Sequence, residues 1–521
     1  MCGIALIIGP GADRALHRQM LAAIVGRGDV EEVLLEDQVL AGTQRLRIVD
    51  RDRAVQPWRS DDEAWLLCFN GEIYNHKDLR EELRALGRVP RSESDTEVVL
   101  DTVLEWGDEG VHRLRGEYAF AVVERATGRT YIARDPVGVK PLYWAMKDGR
   151  LHLASEVKSL VPVGAPVHEV PPGHHGWAEP GKEPVLVPHV DLLRLGEGLP
   201  PLDDPDEAMA AVRDTLRDSI RVRVDTDLPV GVVLSGGLDS SLTLLHVKEM
   251  HPDCIAFTVG TPDSEDVEYA RRLTKDLGVP HEVIDLSPGD LHLSDIRTAI
   301  EMGELTEYGD VINAVVSVPL FRRVHESGVK VVLAGDGSDE LFGGYDMYHA
   351  VDAEAGRRLF LHKIRNLSRT ELQRVDRTSM GQGVEVRVPF LDVNMLDLAM
   401  RIPIDLKMRD GQEKWVVRQA FADVLPEYIR MRPKNPMSHS SGLHERARLY
   451  KPLFAREYRS HGYQALSPMR RDFSVVLSGS GRDLDRAVAE VQARPDYTAA
   501  EHAKDFVGAV RWNVQKALRR S

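Results

Sequence analysis

The residue with the most chemistry to offer stands second in the chain, in Met1-Cys2-Gly3-Ile4. A small second residue favours removal of Met1, which leaves Cys2 with a thiol and a free α-amine on one carbon. The amine, with an ordinary pKa of about 7.7–8, can take the thiol's proton. Nucleophile and general base then occupy a single residue. The plain alternative is a small apolar residue opening a buried strand, since residues 2–8 form an apolar run.

A second chemistry is written in Val232-Val233-Leu234-Ser235-Gly236-Gly237-Leu238-Asp239-Ser240-Ser241. An apolar strand runs into Ser-Gly-Gly and then into a helix. Glycines let the backbone approach an anion, and the N–H groups of the helix start bind phosphate. No lysine of the kind that grips β- and γ-phosphates is present, so the loop suits a leaving pyrophosphate. A second cluster, Gly335-Asp336-Gly337-Ser338-Asp339-Glu340, follows another apolar strand. Both clusters belong at C-terminal strand ends, where open α/β sheets bind ligands. Asp239 and Asp339 are candidate ligands for a shared Mg²⁺ that neutralises ATP; each could instead cap its helix.

Near the N-terminus, Asn70-Gly71-Glu72 offers an amide side chain and a glycine N–H for an oxyanion. Arg45 is a fork for a substrate carboxylate, and Asp95 is a partner for its ammonium. The alternatives are a hairpin turn at Asn70-Gly71, an N-cap at Ser94 or Asp95 and a surface arginine.

These residues need elements to hold them. Residues 1–185 read as short β-runs (64–69, 118–123, 151–154) with helical patterns near 13–25, 76–86 and 95–106. That mixture predicts an α+β domain of stacked antiparallel sheets with helices, over 2–185. Residues 179–206 shift to Pro, Gly and acid and read as a linker. From 206 to 521, strands at 230–234, 254–259, 281–284 and 329–334 alternate with amphipathic segments. The pattern predicts an α/β domain with a parallel sheet and a mostly helical part after residue 370. The chain has 521 residues, enough for two to four domains. A net charge of −15 argues against a nucleic-acid partner. No apolar stretch is long enough to span a membrane, and no leader precedes the first strand. Cys2, Cys68 and Cys254 are too few for a disulfide framework, which points to the cytoplasm.

The order of these pieces resembles the glutamine-hydrolysing asparagine synthetases from Cys2 to about residue 445. The stretches that carry the resemblance are the Cys2 start, 45–50 with Gln56-Pro57, 70–75, 94–97, 133–143, 154–158, the Ser-Gly-Gly loop and Asp376-Arg377 through 385–392. The resemblance implies a class II amidotransferase, with an N-terminal-nucleophile glutaminase domain and an ATP-pyrophosphatase synthetase domain. It implies that Cys2 attacks glutamine while Arg45, Asn70, Gly71, Glu72 and Asp95 hold substrate and oxyanion. Ammonia then passes through a tunnel to an acyl-adenylate of a carboxylate, aspartate first, with a different carboxylate acceptor as the alternative. It implies nucleotide contacts at Leu234, Ser235, Gly236, Gly237, Asp239, Ser240, Val259, Gly335, Asp336 and Lys434. It places Asp336, Asp339, Asp376 and Arg387 on the acceptor side. Mg-ATP as cofactor and a homodimer follow from the same resemblance.

The chain also departs from the family. The usual His-Arg-Gly-Pro-Asp is Gly26-Arg27-Gly28-Asp29 here, and the usual Ser-Gly-Glu-Gly is Ala334-Gly335-Asp336-Gly337. Ile312, Asn313 and Val315 stand where a Thr-Thr pair and an arginine are common. The synthetase departures gather on the acceptor side, and residues after 445 carry no resemblance of use. Retained Cys2 and the Ser-Gly-Gly loop argue against a non-catalytic relative. Cys2 argues against β-lactam-forming relatives, and the ATP loop against sugar-phosphate amidotransferases.

Overall fold

A computed structural model describes residues 1–286, 293–305, 308–345, 348 and 353–434. Two antiparallel sheets stack in the first part. One orders its strands His168–Glu169, Tyr143–Lys147, Arg150–Ala154, Cys2–Ile8, Val39–Arg45 and Val30–Leu35. The other runs Val185–Pro188, His174–Ala178, Thr130–Arg134, Gly116–Glu124, Trp65–Ile73 and Trp58–Arg59.

The apolar run after Cys2 is explained by this stacking. Ile4, Leu6 and Ile8 face the other sheet and pack with Cys68, Ala121 and Ile132. Ala5 and Ile7, on the opposite face, pack with Met20 and Leu21 of the helix Arg14–Ala22. A strand buried on both sides has no polar face, so its alternation disappears from the sequence. The helices His76–Ala85 and Asp95–Trp106 cover the second sheet's outer face through Leu79, Leu83, Val98 and Val99.

The second part is a parallel sheet ordered His281–Asp285, Ile255–Gly260, Val230–Val233, Val331–Leu333 and Glu385–Arg387. The chain starts in the middle strand and winds outward in both directions. The order therefore reverses between Val230–Val233 and Val331–Leu333, and a crevice opens at their C-terminal ends. The last strand, Glu385–Arg387, lies in a region the sequence reads as helical. Three residues are too few to show a period. Within 179–206, Val185–Pro188 is a strand paired with His174–Ala178, and the helix Pro205–Arg223 follows.

Candidate active sites

Asn70 and Gly71 are not a hairpin turn. They lie inside the strand Trp65–Ile73, opposite Ala119 and Tyr118. This register brings Asn70 under Cys2, whose backbone N–H donates to Asn70 Oδ1 at 3.0 Å. That bond orients the amide, and Asn70 Nδ2 is buried without a partner. A buried unpaired donor beside this thiol has the chemistry an oxyanion needs. Gly71 has no room for a side chain: a Cβ there would stand 2.4 Å from the Glu117 carbonyl oxygen. Gln56 Nε2 lies 3.6 Å from Cys2 Sγ, and its Oε1 accepts from the Phe69 N–H at 2.8 Å.

A small cleft beside Cys2 is lined by Arg45, Gln56, Gly71, Glu72, Asp95 and Thr96, among others. Arg45 opens the end of its strand and is held by Glu32 through two bonds of 3.0 Å, Nε and Nη2 to the two carboxylate oxygens. Asp95 is the first residue of its helix, which Ser94 caps by accepting from the Thr96 N–H at 3.0 Å. Asp95 itself accepts from the Ile73 N–H at 3.1 Å. The capping alternative thus holds for Ser94 and leaves Asp95 on the cleft. Burial pushes the carboxyls of Asp95 and Glu72 upward. Burial also pushes the Cys2 thiol up, opposed by the adjacent α-ammonium. Burial pulls the Met1 ammonium down, but Glu385 and its neighbours more than offset this and raise it.

The two parts of the molecule meet at this cleft. The Met1 ammonium donates to Glu385 Oε2 at 3.0 Å, both groups being buried. Glu385 also accepts from Arg387 Nε at 2.6 Å, and Arg387 Nη2 stands 3.3 Å from Glu72. Arg27 donates to the Cys2 carbonyl at 3.1 Å, to Glu156 at 2.6 Å and to both oxygens of Asp376 at 2.8 and 3.1 Å. Asp376 and Arg387, expected on the acceptor side, make these contacts. The structure puts both in a buried charged seam behind Cys2 and brings neither to the phosphate loop. The sequence reads Arg27 as part of a loop motif and 385–387 as an acceptor-side segment, and nothing in it pairs the two in a seam.

At the crevice, Ser235-Gly236-Gly237 turns into the helix Leu238–Met250. Gly236 has φ +66°, and a Cβ there would meet Tyr269 at 2.6 Å. Gly335 lies against the first turn of that helix, with a Cβ position 2.9 Å from Asp239 Cβ. The pocket beside the loop is lined by Ser235, Gly237, Asp239, Ser240 and the cations Lys414, Arg418, Arg432 and Lys434. Four cations around a glycine loop suit a polyphosphate. Leu234 is buried, its N–H bonded to the Phe257 carbonyl and its carbonyl to Thr258 Oγ1. Val259, also buried, ends near the same strand edge.

Neither Asp239 nor Asp339 caps its helix; glycines hold both N-cap positions. Their carboxylates converge on Lys414 Nζ at 2.5 Å each, and Lys434 Nζ adds 2.6 Å to Asp339. Ser338 Oγ donates to Asp239 at 2.7 Å. Despite burial, Lys414 and Lys434 hold the Asp339 carboxyl down to about 2. Hard oxygen donors converging on one cation fit Mg²⁺. Among the described residues no group of three or more metal-type ligands converges, so phosphate oxygens would have to complete a shell. Asp336 sits to one side, 3.2 Å from Arg374 Nη2. Lys414, Arg418 and Arg432 were missed in the sequence. Lys414 takes an uncommon φ of +54°, which no spacing rule reveals.

A family model described as a glutamine amidotransferase domain matches residues 1–172. Another, described as asparagine synthase, matches 211–357 and 352–473 and so reaches past residue 445, outside the described residues. Asparagine synthetase B (glutamine-hydrolysing) of Escherichia coli is 34% identical over 435 residues, covering 80% of this chain and 77% of that protein. A probable glutamine-hydrolysing asparagine synthetase of Dictyostelium discoideum is 32% identical, covering 85% of each. Asparagine synthetase 3 of Arabidopsis thaliana is 33% identical over 85% of this chain and 79% of that one.

Proposed function

This chain belongs to the glutamine-hydrolysing asparagine synthetase family, and from that premise we propose how its own residues divide the work. The reaction is ATP-dependent amidation of aspartate with glutamine as nitrogen donor, giving asparagine, AMP and pyrophosphate. Residues 2–185 form the glutaminase domain and residues 206–521 the synthetase domain. With Met1 removed, the Cys2 amine draws the proton from its thiol as the sulfur attacks the glutamine amide carbon. Asn70 Nδ2 and the Gly71 N–H stabilise the oxyanion. Arg45 holds the substrate carboxylate, and Asp95 with Glu72 holds its ammonium. The C–N bond then breaks as the amine hands that proton to the leaving nitrogen, water hydrolyses the resulting thioester to glutamate, and the ammonia crosses the buried seam rather than bulk solvent, where it would be protonated.

At the second site the Ser235–Ser240 loop, Arg432 and Lys434 bind the phosphates, and Gly335 lets the two loops close on each other. Asp239 and Asp339 would hold Mg²⁺, which supplies charge neutralisation at the pyrophosphate when bound. Lys434 stabilises the leaving pyrophosphate. The acceptor's carboxylate lies on the Asp336 side of the loop, and Asp339, tied to Lys414 and Lys434, keeps those cations in place. A homodimer in the cytoplasm is the form we expect; no described helix is long and apolar enough to cross a membrane.

The observation that carries this reading is the contact of Glu72, in the Cys2 cleft, with Arg387 on the edge strand of the parallel sheet at 3.3 Å. It supports an ammonia-releasing site directly against the synthetase sheet. Two measurements test it. Intact mass should show the chain without Met1; a retained Met1 in active protein would refute the Cys2 mechanism. Pyrophosphate release should require Mg-ATP and a carboxylate, with aspartate the best of a panel. Silence with aspartate and release with another acid would move the enzyme to a different acceptor.

A further inference from the structure

We propose that Gln56 is a catalytic residue of the glutaminase site, donating its Nε2–H to the Cys2 sulfur as the thiol loses its proton, and that Glu32 positions it together with Arg45. The inference rests on the reading of Cys2 as nucleophile and adds two residues to that site.

The orientation of the Gln56 amide follows from its partners. Its Oε1 accepts from the Phe69 backbone N–H at 2.8 Å. An N–H needs an acceptor, so the amide oxygen takes that side and Nε2 takes the other. Nε2 then faces Cys2 Sγ at 3.6 Å. Gln56 is buried, so water does not compete at either end. A neutral thiol is a weak acceptor, and a charged one is much stronger. The contact therefore tightens as the sulfur gains charge and favours the reactive form.

The surroundings of the sulfur leave such a donor work to do. Burial opposes ionisation of the Cys2 thiol. The charged groups that face it are the Met1 ammonium and Arg45, which favour the thiolate, and Asp95, which opposes it. The Leu46 backbone N–H also favours it, but that group donates to the Met1 carbonyl at 2.9 Å. Once Met1 is gone, the Cys2 amine must be neutral to act as base, so it brings no positive charge before the transfer. The S–H bond then breaks, its proton passes to the amine nitrogen and its electron pair stays on sulfur. Gln56 keeps its own proton throughout and shares the new charge through Nε2–H.

Glu32, on the edge strand Val30–Leu35, stands behind both residues. Its Oε2 accepts from the Gln56 backbone N–H at 2.7 Å and from Arg45 Nε at 3.0 Å. Its Oε1 accepts from Arg45 Nη2 at 3.0 Å. This side-on grip leaves the Nη1–Nη2 edge of the guanidinium for the glutamine carboxylate, with Nη1 also donating to the Arg51 carbonyl at 3.2 Å. One carboxylate thus sets the group that holds the substrate relative to the group that touches the nucleophile.

The test uses the full-length enzyme and two readouts. One is the pH dependence of iodoacetamide capture of Cys2, followed by mass on the N-terminal peptide; it reports the thiolate. The other is glutamate release. Gln56→Met keeps the length and loses the donor. Its capture midpoint should move up by about one pH unit and its kcat for glutamine should fall about tenfold, with the KM changed less than about threefold. Gln56→Glu keeps an acceptor for Phe69 and sets against the sulfur a carboxyl that ionises before a thiol does, so its midpoint should move up further. Glu32→Ala should raise the KM for glutamine about tenfold and move the midpoint in the same direction. Glu32→Gln should recover part of both. Ammonia-dependent synthesis, which bypasses Cys2, checks folding; if Gln56→Met fails that check, Gln56→Glu decides. A midpoint unmoved in the folded Gln56 variants overturns the assignment even if turnover falls, because a merely structural loss leaves the thiol's titration alone. A KM rise in Glu32→Ala without a shifted midpoint overturns the positioning of Gln56 by Glu32. Wild type that is not captured at Cys2, or Cys2→Ala that still hydrolyses glutamine, overturns the nucleophile reading and this inference together.

Discussion

At Asn70 one amide does two jobs: Oδ1 fixes the Cys2 nitrogen and Nδ2 waits unpaired. Its removal should lower glutamine-dependent kcat by about 10²–10³ in Asn70→Ala, read by glutamate release, with ammonia-dependent synthesis intact. Cys2→Ala should go further, abolishing glutamine-dependent synthesis while sparing the ammonia-dependent reaction. Loss of both in a folded variant would contradict two separable sites. At the other site, Asp239 meets Lys414 at 2.5 Å. Asp239→Asn should abolish pyrophosphate release and leave glutamine hydrolysis near wild type. Persistent pyrophosphate release would remove its role at the metal.

At the scale of elements, the seam behind Cys2 joins strands and helices far apart in sequence. Arg27, Glu156, Asp376, Glu385 and Arg387 are all buried. Removing one partner of such a set costs about 3–5 kcal/mol, because the other charge stays buried and unpaired. Arg27→Ala should therefore lower the melting temperature and stimulate glutamine hydrolysis that no longer yields asparagine. The double change Arg27→Met with Asp376→Leu should recover stability without recovering coupling. Despite burial, Arg27 holds the Asp376 carboxyl down to about 2. This lies below its unfolded value near 4. Its stabilisation is thus full above about pH 5 and drains away as pH falls toward 2. Acid unfolding followed by circular dichroism should show a steep loss in that window. Arg27→Ala, which leaves Asp376 with Arg377 at 3.0 Å but without its two bonds to Arg27, should soften it.

The same seam shows what sequence could and could not carry. Cys2 and the Ser-Gly-Gly loop are legible because each is a contiguous pattern with its own backbone requirement. The helices Arg14–Ala22, His76–Ala85 and Asp95–Trp106 are legible because one face of each is apolar. Arg27 and Asp376 meet across 349 residues, and nothing local marks either as half of a pair. Glu385–Arg387 is too short to show a strand period and gains its pairing only from Val331–Leu333. Lys414 reaches Asp239 across 175 residues from a left-handed backbone position. Local rules find the loops that bind; they do not find the side chains that other elements deliver to them.

For the whole molecule, the arrangement matters because the Cys2 cleft and the parallel sheet meet in one buried seam. The Cys2 cleft touches the parallel sheet's edge strand through Glu72 and Arg387. The phosphate loop lies at the reversal of strand order in the same sheet. Under the proposed mechanism, ammonia made at Cys2 meets the acyl-adenylate without entering solvent, which keeps it unprotonated and reactive. The most direct test supplies amide-¹⁵N glutamine, aspartate and Mg-ATP in the presence of excess unlabelled ammonium at neutral pH. The account predicts ¹⁵N asparagine formed with equal AMP and pyrophosphate, with little dilution of the label. Asparagine carrying the label diluted to the solution pool, or glutamine hydrolysis with no amidated product, would contradict it.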